Sequence, residues 1–172
     1  MSSKSNILGI EKFEMGAAGD GIMGTVLTEF TDIEVNSVVI DGEQANEDTI
    51  PTEANDSYIT LNSDVTPAKL TIRLYGVDLE DYPMLMGGTY ASGVWSAPKV
   101  KPNIFLSSRL TSFAIAGFKR TIEIPYGKIN ARLQGNITKN GLPAIDIEIT
   151  ANTPVSALDV EGAPYKIAEI AA

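Results

Sequence analysis

Asp146 and Glu148 stand two apart in the run Ile145-Asp146-Ile147-Glu148-Ile149 and so share one face of a strand. Two carboxyls on one face could serve glycoside hydrolysis, which needs them at a set separation across a cleft. An exposed strand face accounts for the same pair. Asp20-Gly21 and Asp41-Gly42-Glu43 begin like calcium loops. Neither continues with oxygen ligands at the spacing such a loop requires, so both read as turns. The chain has no His and no Cys. That removes the Ser-His-Asp triad, thiolate nucleophiles, disulfides and the commonest metal ligands. Serines are plentiful, but no Gly-x-Ser-x-Gly elbow is present and no phosphate-cradling glycine loop precedes a helix. Trp95, with Tyr90 and Val94, could form a small aromatic patch, a grouping that more often anchors a hairpin or a subunit contact. By elimination the residues argue against an enzyme, and they imply no cofactor and no metal.

The elements that would position these residues are strands. Apolar and polar residues alternate with period two at 32–39, 69–74, 121–124, 128–137 and 145–150, giving one apolar face each. Further strands are expected near 6–14, 24–30, 57–62, 111–118 and 164–169. This is the pattern of antiparallel sheets packed on one side. Asn140-Gly141 reads as a tight hairpin, Gly16–Gly21 as a flexible connection, and Tyr126-Gly127 as a bend or bulge. One short amphipathic helix is expected over Asp78–Met86, with Asp81 as cap, Pro83 in the first turn and Gly87 just past the end. Asp41–Asp56, acidic and almost without apolar residues apart from Ile50, reads as a long exposed loop or as an extended hairpin reaching a neighbour.

At 172 residues, 44% of them hydrophobic, the chain suits a single domain with its own core. The expected plan is an all-β domain, two packed antiparallel sheets forming a sandwich or barrel with one flanking helix. An N-terminal arm (1–5), the acidic loop (41–56) and a C-terminal extension (152–172) complete it. No apolar run approaches the ~20 residues of a membrane-crossing helix, and the N-terminus shows no signal-peptide pattern, so no membrane insertion is expected. Net charge is −9, an unfavourable balance for gripping nucleic acid. The charge is segregated: residues 13–68 hold twelve acids and no Lys or Arg, whereas residues 69–139 carry a net +6. An acidic and a basic patch on one molecule favour head-to-tail association, which closes rings or builds filaments.

Several segments resemble the major tail tube proteins of long-tailed bacteriophages, a family related to the tubes of contractile particles and type VI secretion. They are the opening Asn6–Glu14 with the Gly16–Gly21 turn, the loop Asp41–Asp56, Leu70–Gly76 leading into Asp78–Met86, Gly87–Pro98, Lys119–Ile129, and the closing Gly141–Thr150 and Val160–Ile167 stretches. The resemblance covers nearly the whole chain. It implies two packed sheets with one helix, six copies in a ring, rings stacked through long loops and arms, and a channel through which DNA passes from capsid to host. It also implies a place in the virion tail after assembly in the bacterial cytoplasm. The implied partners are other copies of the chain and further tail proteins (tape measure, terminator, distal tail or baseplate), with DNA as transient cargo.

Two expectations about residues follow. Some of Asp32, Glu34, Asp146 and Glu148 would face the channel and repel phosphate. The loop residues Asp41, Glu43, Glu47, Asp48, Ile50, Glu53 and Asp56 would reach an adjacent subunit and meet a basic face of Lys99, Lys101, Arg109, Lys119 and Arg120. The rival readings are a carbohydrate-binding or adhesin-like β-sandwich, which needs an exposed aromatic platform, and a small β-barrel enzyme, which needs a cleft with perturbed carboxylates.

Overall fold

A computed structural model of the chain describes residues 7, 9–139 and 141–172. The chain is all-β and antiparallel with one short helix. Its strands are β1 (Lys12–Ala17), β2 (Thr28–Phe30), β3 (Val39–Asp41), β4 (Gln44–Thr52), β5 (Asn55–Thr66), β6 (Lys69–Leu74), β7 (Thr89–Ala91), β8 (Val94–Ser96), β9 (Ile104–Thr111), β10 (Phe118–Gln134), β11 (Ala144–Ala151) and β12 (Lys166–Ala171). Helix α1 is Tyr82–Met86.

Eight strands make one sheet in the order β2-β1-β9-β10-β11-β6-β3, with β12 also on β10. Strand β10 organises it. Its first part, Phe118–Glu123, pairs with β12, and its last part, Gly127–Gln134, pairs with β11. Strand β9 runs along it through a register shift between Ile124 and Gly127. The expected bend at Tyr126-Gly127 is therefore a bulge at which one strand passes from one half of the sheet to the other. A side chain at Gly127 would have its Cβ within 2.5 Å of Ile149 Cγ2, so the two halves meet closely at this point. The sheet is not closed into a barrel. Its packing is sandwich-like, but the expected two sheets are one continuous sheet folded about β10.

Alternation dictates the core. Phe13, Met15, Leu110, Ile122 and Ile124 from the first half and Leu70, Ile72, Leu74, Ile145, Ile147 and Ile149 from the second form a single buried cluster. Full burial of one such side chain contributes about 1.5–3 kcal/mol. Helix α1 adds Leu85 and Met86 to this cluster. It is shorter than the expected 78–86. Asp81 is at the cap position without a side-chain hydrogen bond, while the Gly87 N–H donates to the Pro83 carbonyl at 2.9 Å.

Several expectations are corrected, among them the strand at 32–39, which is a single bridge at Ile33 followed by a turn. The 111–118 strand is instead a turn, Ile115–Phe118, between β9 and β10. The missed strand β9 contains Ser107-Ser108, which interrupts the apolar alternation. Both are buried because the 17–27 segment covers the outer side, where Ser107 Oγ accepts the Gly24 N–H at 2.8 Å and donates to the Pro125 carbonyl at 2.6 Å. Of the two readings of 41–56, the structureless loop is corrected and the extended hairpin is what forms: these residues end β3, form β4 and begin β5, with which β4 pairs. The strand expected near 164–169 is present as β12, which joins the sheet on β10. The N-terminal arm and Asn140 lie outside the described residues, but Thr138 and Gly141 bridge where the hairpin was expected.

Candidate functional site

Three surfaces carry the charged residues singled out in the sequence. The first is the outer face of β6, β11 and the last part of β10. Pairing sets Arg73 opposite Asp146, Lys69 opposite Thr150 and Arg132 opposite Asp146. Arg73 Nε lies 3.1 Å from Asp146 Oδ1 and 3.5 Å from Glu34 Oε2, Lys69 Nζ lies 3.4 Å from Glu148 Oε1, and Arg132 reaches Asp146 at 3.8 Å. Tyr75 donates its hydroxyl to Glu34 Oε1 at 2.7 Å, and that carboxylate holds the Tyr75 pKa above its ordinary value. Lys101 Nζ donates to Asn130 Oδ1 and to the Ala131 carbonyl, both at 2.7 Å.

Two depressions of about 460 and 330 Å³ share Asn130 and Glu148 on this face and so make one shallow trough. Four cations (Arg73, Lys101, Lys128, Arg132) line it against three acids (Glu34, Asp146, Glu148), and Lys69, paired with Glu148, stands at its margin opposite Asp41. Three of the four acids expected in a channel wall are thus brought together, and Asp32 is apart, beside Gly76. These acids do not form an uninterrupted acidic wall, because Lys69, Arg73 and Arg132 stand among them. The Asp146–Glu148 pair forms part of this ion-pair lattice.

The second surface is the outer face of β1, β9 and the first part of β10. Lys12 reaches Glu29 at 2.8 Å and Glu14 at 3.0 Å, Arg109 Nε reaches Glu123 at 2.8 Å, and Lys119 reaches Glu11 at 2.7 Å. Hydrogen bonds to Glu29 and then Glu14 raise the Lys12 pKa.

The five predicted cations do not form one basic face. Lys99 and Lys101 are on the loop before β9, Arg109 and Lys119 lie on this second face among acids, and Arg120 points inward. Neighbours in a strand face opposite sides, which separates Lys119 from Arg120. Arg120 is buried and ion-paired with Glu169 on β12.

The third surface is the β4–β5 hairpin. Every described side chain from 44 to 66 except Ala45 is exposed. Asp48, Ile50, Ile59 and Leu61 share one side and Glu47, Thr49, Thr60 and Asn62 the other, by the pairs Asp48–Leu61, Ile50–Ile59, Thr49–Thr60 and Glu47–Asn62. Thr49 and Thr60 hydroxyls meet at 3.2 Å. The ribbon carries Glu47, Asp48, Glu53, Asp56 and Asp64 and no cation. Of the predicted contact residues, Glu47, Asp48, Ile50, Glu53 and Asp56 lie on it, Glu43 stands at its base, and Asp41 is in the sheet opposite Lys69.

Other candidates resolve as structure. Asp20 accepts the Ala157 N–H at 2.7 Å and tethers the glycine-rich turn to the C-terminal segment. Trp95 is half-buried, donates its Nε1–H to the Gly87 carbonyl at 3.0 Å and meets Tyr82 edge-on at 5.2 Å, so it offers no open platform for a sugar. Ser96-Ala97-Pro98-Lys99 has the spacing of a serine–lysine dyad, contrary to the expectation that no Ser-x-x-Lys is present. Both ends are exposed, Ser96 as the last residue of β8, and no hydrogen bond joins them. Asp81, whose pKa is raised by burial and then by Asp78 and Glu80, sits at the start of α1.

The charged residues of this face that the sequence did not single out are Lys69, Arg73, Lys128 and Arg132. Their signal was present, since Lys69 and Arg73 alternate out of phase with Leu70 and Ile72 just as Asp146 and Glu148 do with their isoleucines. No protein-family model matches the chain, and no curated protein matches it in sequence.

Proposed function

We propose that this chain is a non-enzymatic structural subunit that assembles with copies of itself into stacked rings, as a phage tail tube protein does. The observation that carries the reading is the β4–β5 hairpin. An isolated two-stranded ribbon is marginal in water, and this one exposes Ile50, Ile59, Leu61 and Val65 without packing on its own domain. A twelve-residue strand spans about 40 Å, a reach suited to a neighbouring subunit. The exposed strand β12, at a sheet margin with Ile167 and Ile170 in solvent, adds a second surface suited to a neighbour. In this reading the assembly is part of a virion tail built in the bacterial cytoplasm, other tail proteins cap it, and DNA passes through it transiently.

Negative-stain electron microscopy of the purified chain over a range of concentrations tests the reading. Rings or tubes with a central hole are expected. A second sample replaces residues 44–66 with a two-residue Asn-Gly turn, which removes both strands of the ribbon. It should unfold at the same urea concentration as the parent and form no tubes. Tubes from the shortened chain, or a parent that stays monomeric at every concentration, would count against the proposal.

A further inference from the structure

We infer that the acidic β4–β5 hairpin of one copy lies along the cationic trough on the outer face of β6, β11 and β10 of a second copy. The inference rests on the assembly reading and names the surface that receives the ribbon. Charge decides between the two outer faces. On the β1–β9–β10 face the three cations Lys12, Arg109 and Lys119 are outnumbered by Glu11, Glu14, Glu29 and Glu123, so an acidic ribbon is repelled. The other face's trough is lined by four cations (Arg73, Lys101, Lys128, Arg132) against three acids (Glu34, Asp146, Glu148). Lys128 has no ion-pair partner among the described residues, and Arg132 is 70% exposed with only a 3.8 Å approach to Asp146.

The two depressions adjoin at Asn130 and Glu148, so the cations run from Lys101 and Lys128 to Arg73 and Arg132 along one outer face. Every described side chain of the hairpin except Ala45 is exposed, so its acids are presented to solvent, where a second copy can meet them. Exposed ion pairs contribute only about 0–1 kcal/mol each, so the contact requires several at once and weakens as salt shortens the screening length.

Charge reversal tests the pairing. K128E/R132E makes the trough acidic and keeps the acidic ribbon. E47K/E53K/D56K makes the ribbon basic, with three Lys against Asp48 and Asp64, and keeps the basic trough. All five positions are exposed, so both variants should fold, and circular dichroism with a thermal melt checks this. Each variant alone should need at least about tenfold more protein than the parent to assemble, read by sedimentation and electron microscopy. An equimolar mixture should recover assembly, because each trough then meets a complementary ribbon. In the unmodified chain, carbodiimide coupling of a mixture of light and heavy isotope-labelled copies should join Lys128 to Glu47 or Glu53 between copies.

Assembly of K128E/R132E at the parent's concentration would overturn the docking and leave the assembly reading standing. So would a mixture that fails to recover. Duplex DNA binding by the parent that K128E/R132E abolishes, with assembly unchanged, would reassign the trough to phosphate. A parent that never assembles would overturn both readings.

Discussion

The eight-stranded sheet and the β4–β5 hairpin use the same antiparallel ladder, yet only the sheet has an inside. In β11 the residues alternate between buried and half-buried, with Ile145, Ile147 and Ile149 almost wholly enclosed. In the hairpin, Ile50 and Ile59 face each other across the ladder and remain 49% and 42% exposed. Backbone pairing alone contributes little net stability in water, because the unfolded chain bonds to solvent instead. The sheet stands on side-chain burial. The ribbon has apolar side chains in register and no surface of its own to bury them on.

The sharpest way to break this contrast is a core truncation. Ile147→Ala should destabilise the protein by about 2–5 kcal/mol, the range for emptying a packed site, read as a lowered urea midpoint. Glu169→Ala, which strips a carboxylate from the buried Arg120 guanidinium, should cost about 1–3 kcal/mol in the same experiment. Ala116 has φ 52° and precedes Gly117 at 84° in the turn joining β9 to β10. Ala116→Asn should stabilise by roughly 0.4–1 kcal/mol by suiting the left-handed backbone. Ile59→Ala in the ribbon should move the midpoint by no more than about 0.5 kcal/mol while raising the concentration needed for assembly. A core-sized loss there would mean that the ribbon packs on its own domain after all.

The smallest effect is expected at Asp81. Burial raises its pKa in the folded state, so the ionised form opposes folding and stability falls as pH rises through the folded pKa. Asp81→Asn should therefore raise the melting temperature slightly at neutral pH, and the advantage should fade as acid protonates Asp81 in both folded and unfolded chains.

The sheet was legible wherever one face is buried. The alternation at 69–74 and 145–150 marks β6 and β11 almost to the residue, because burial of Leu70, Ile72, Ile147 and Ile149 demands it. It failed at β9, where Ser107 and Ser108 are both enclosed and no single face is apolar. It failed at 44–52, where neither face is buried and composition resembles that of a loop. Asp146 and Glu148 of the trough were legible as one face of one strand. The cations opposite them were not, since Arg73 and Asp146 are joined by strand register across 73 positions of sequence, and one-strand periodicity carries no register.

One feature of the sheet reaches into its dynamics. Strand β10 hydrogen-bonds to β9 and β12 in its first part and to β9 and β11 in its last, so neither half of the sheet has a boundary that excludes it. Transient opening of one half must disturb the strand on which the other is built. The domain should then open as one cooperative unit, with the amides of Ile122–Ala131 exchanging with deuterium only at the rate of global unfolding. The hairpin, which shares no strand with that unit, can fray and re-form beneath this threshold, free to change partners while the domain stays shut.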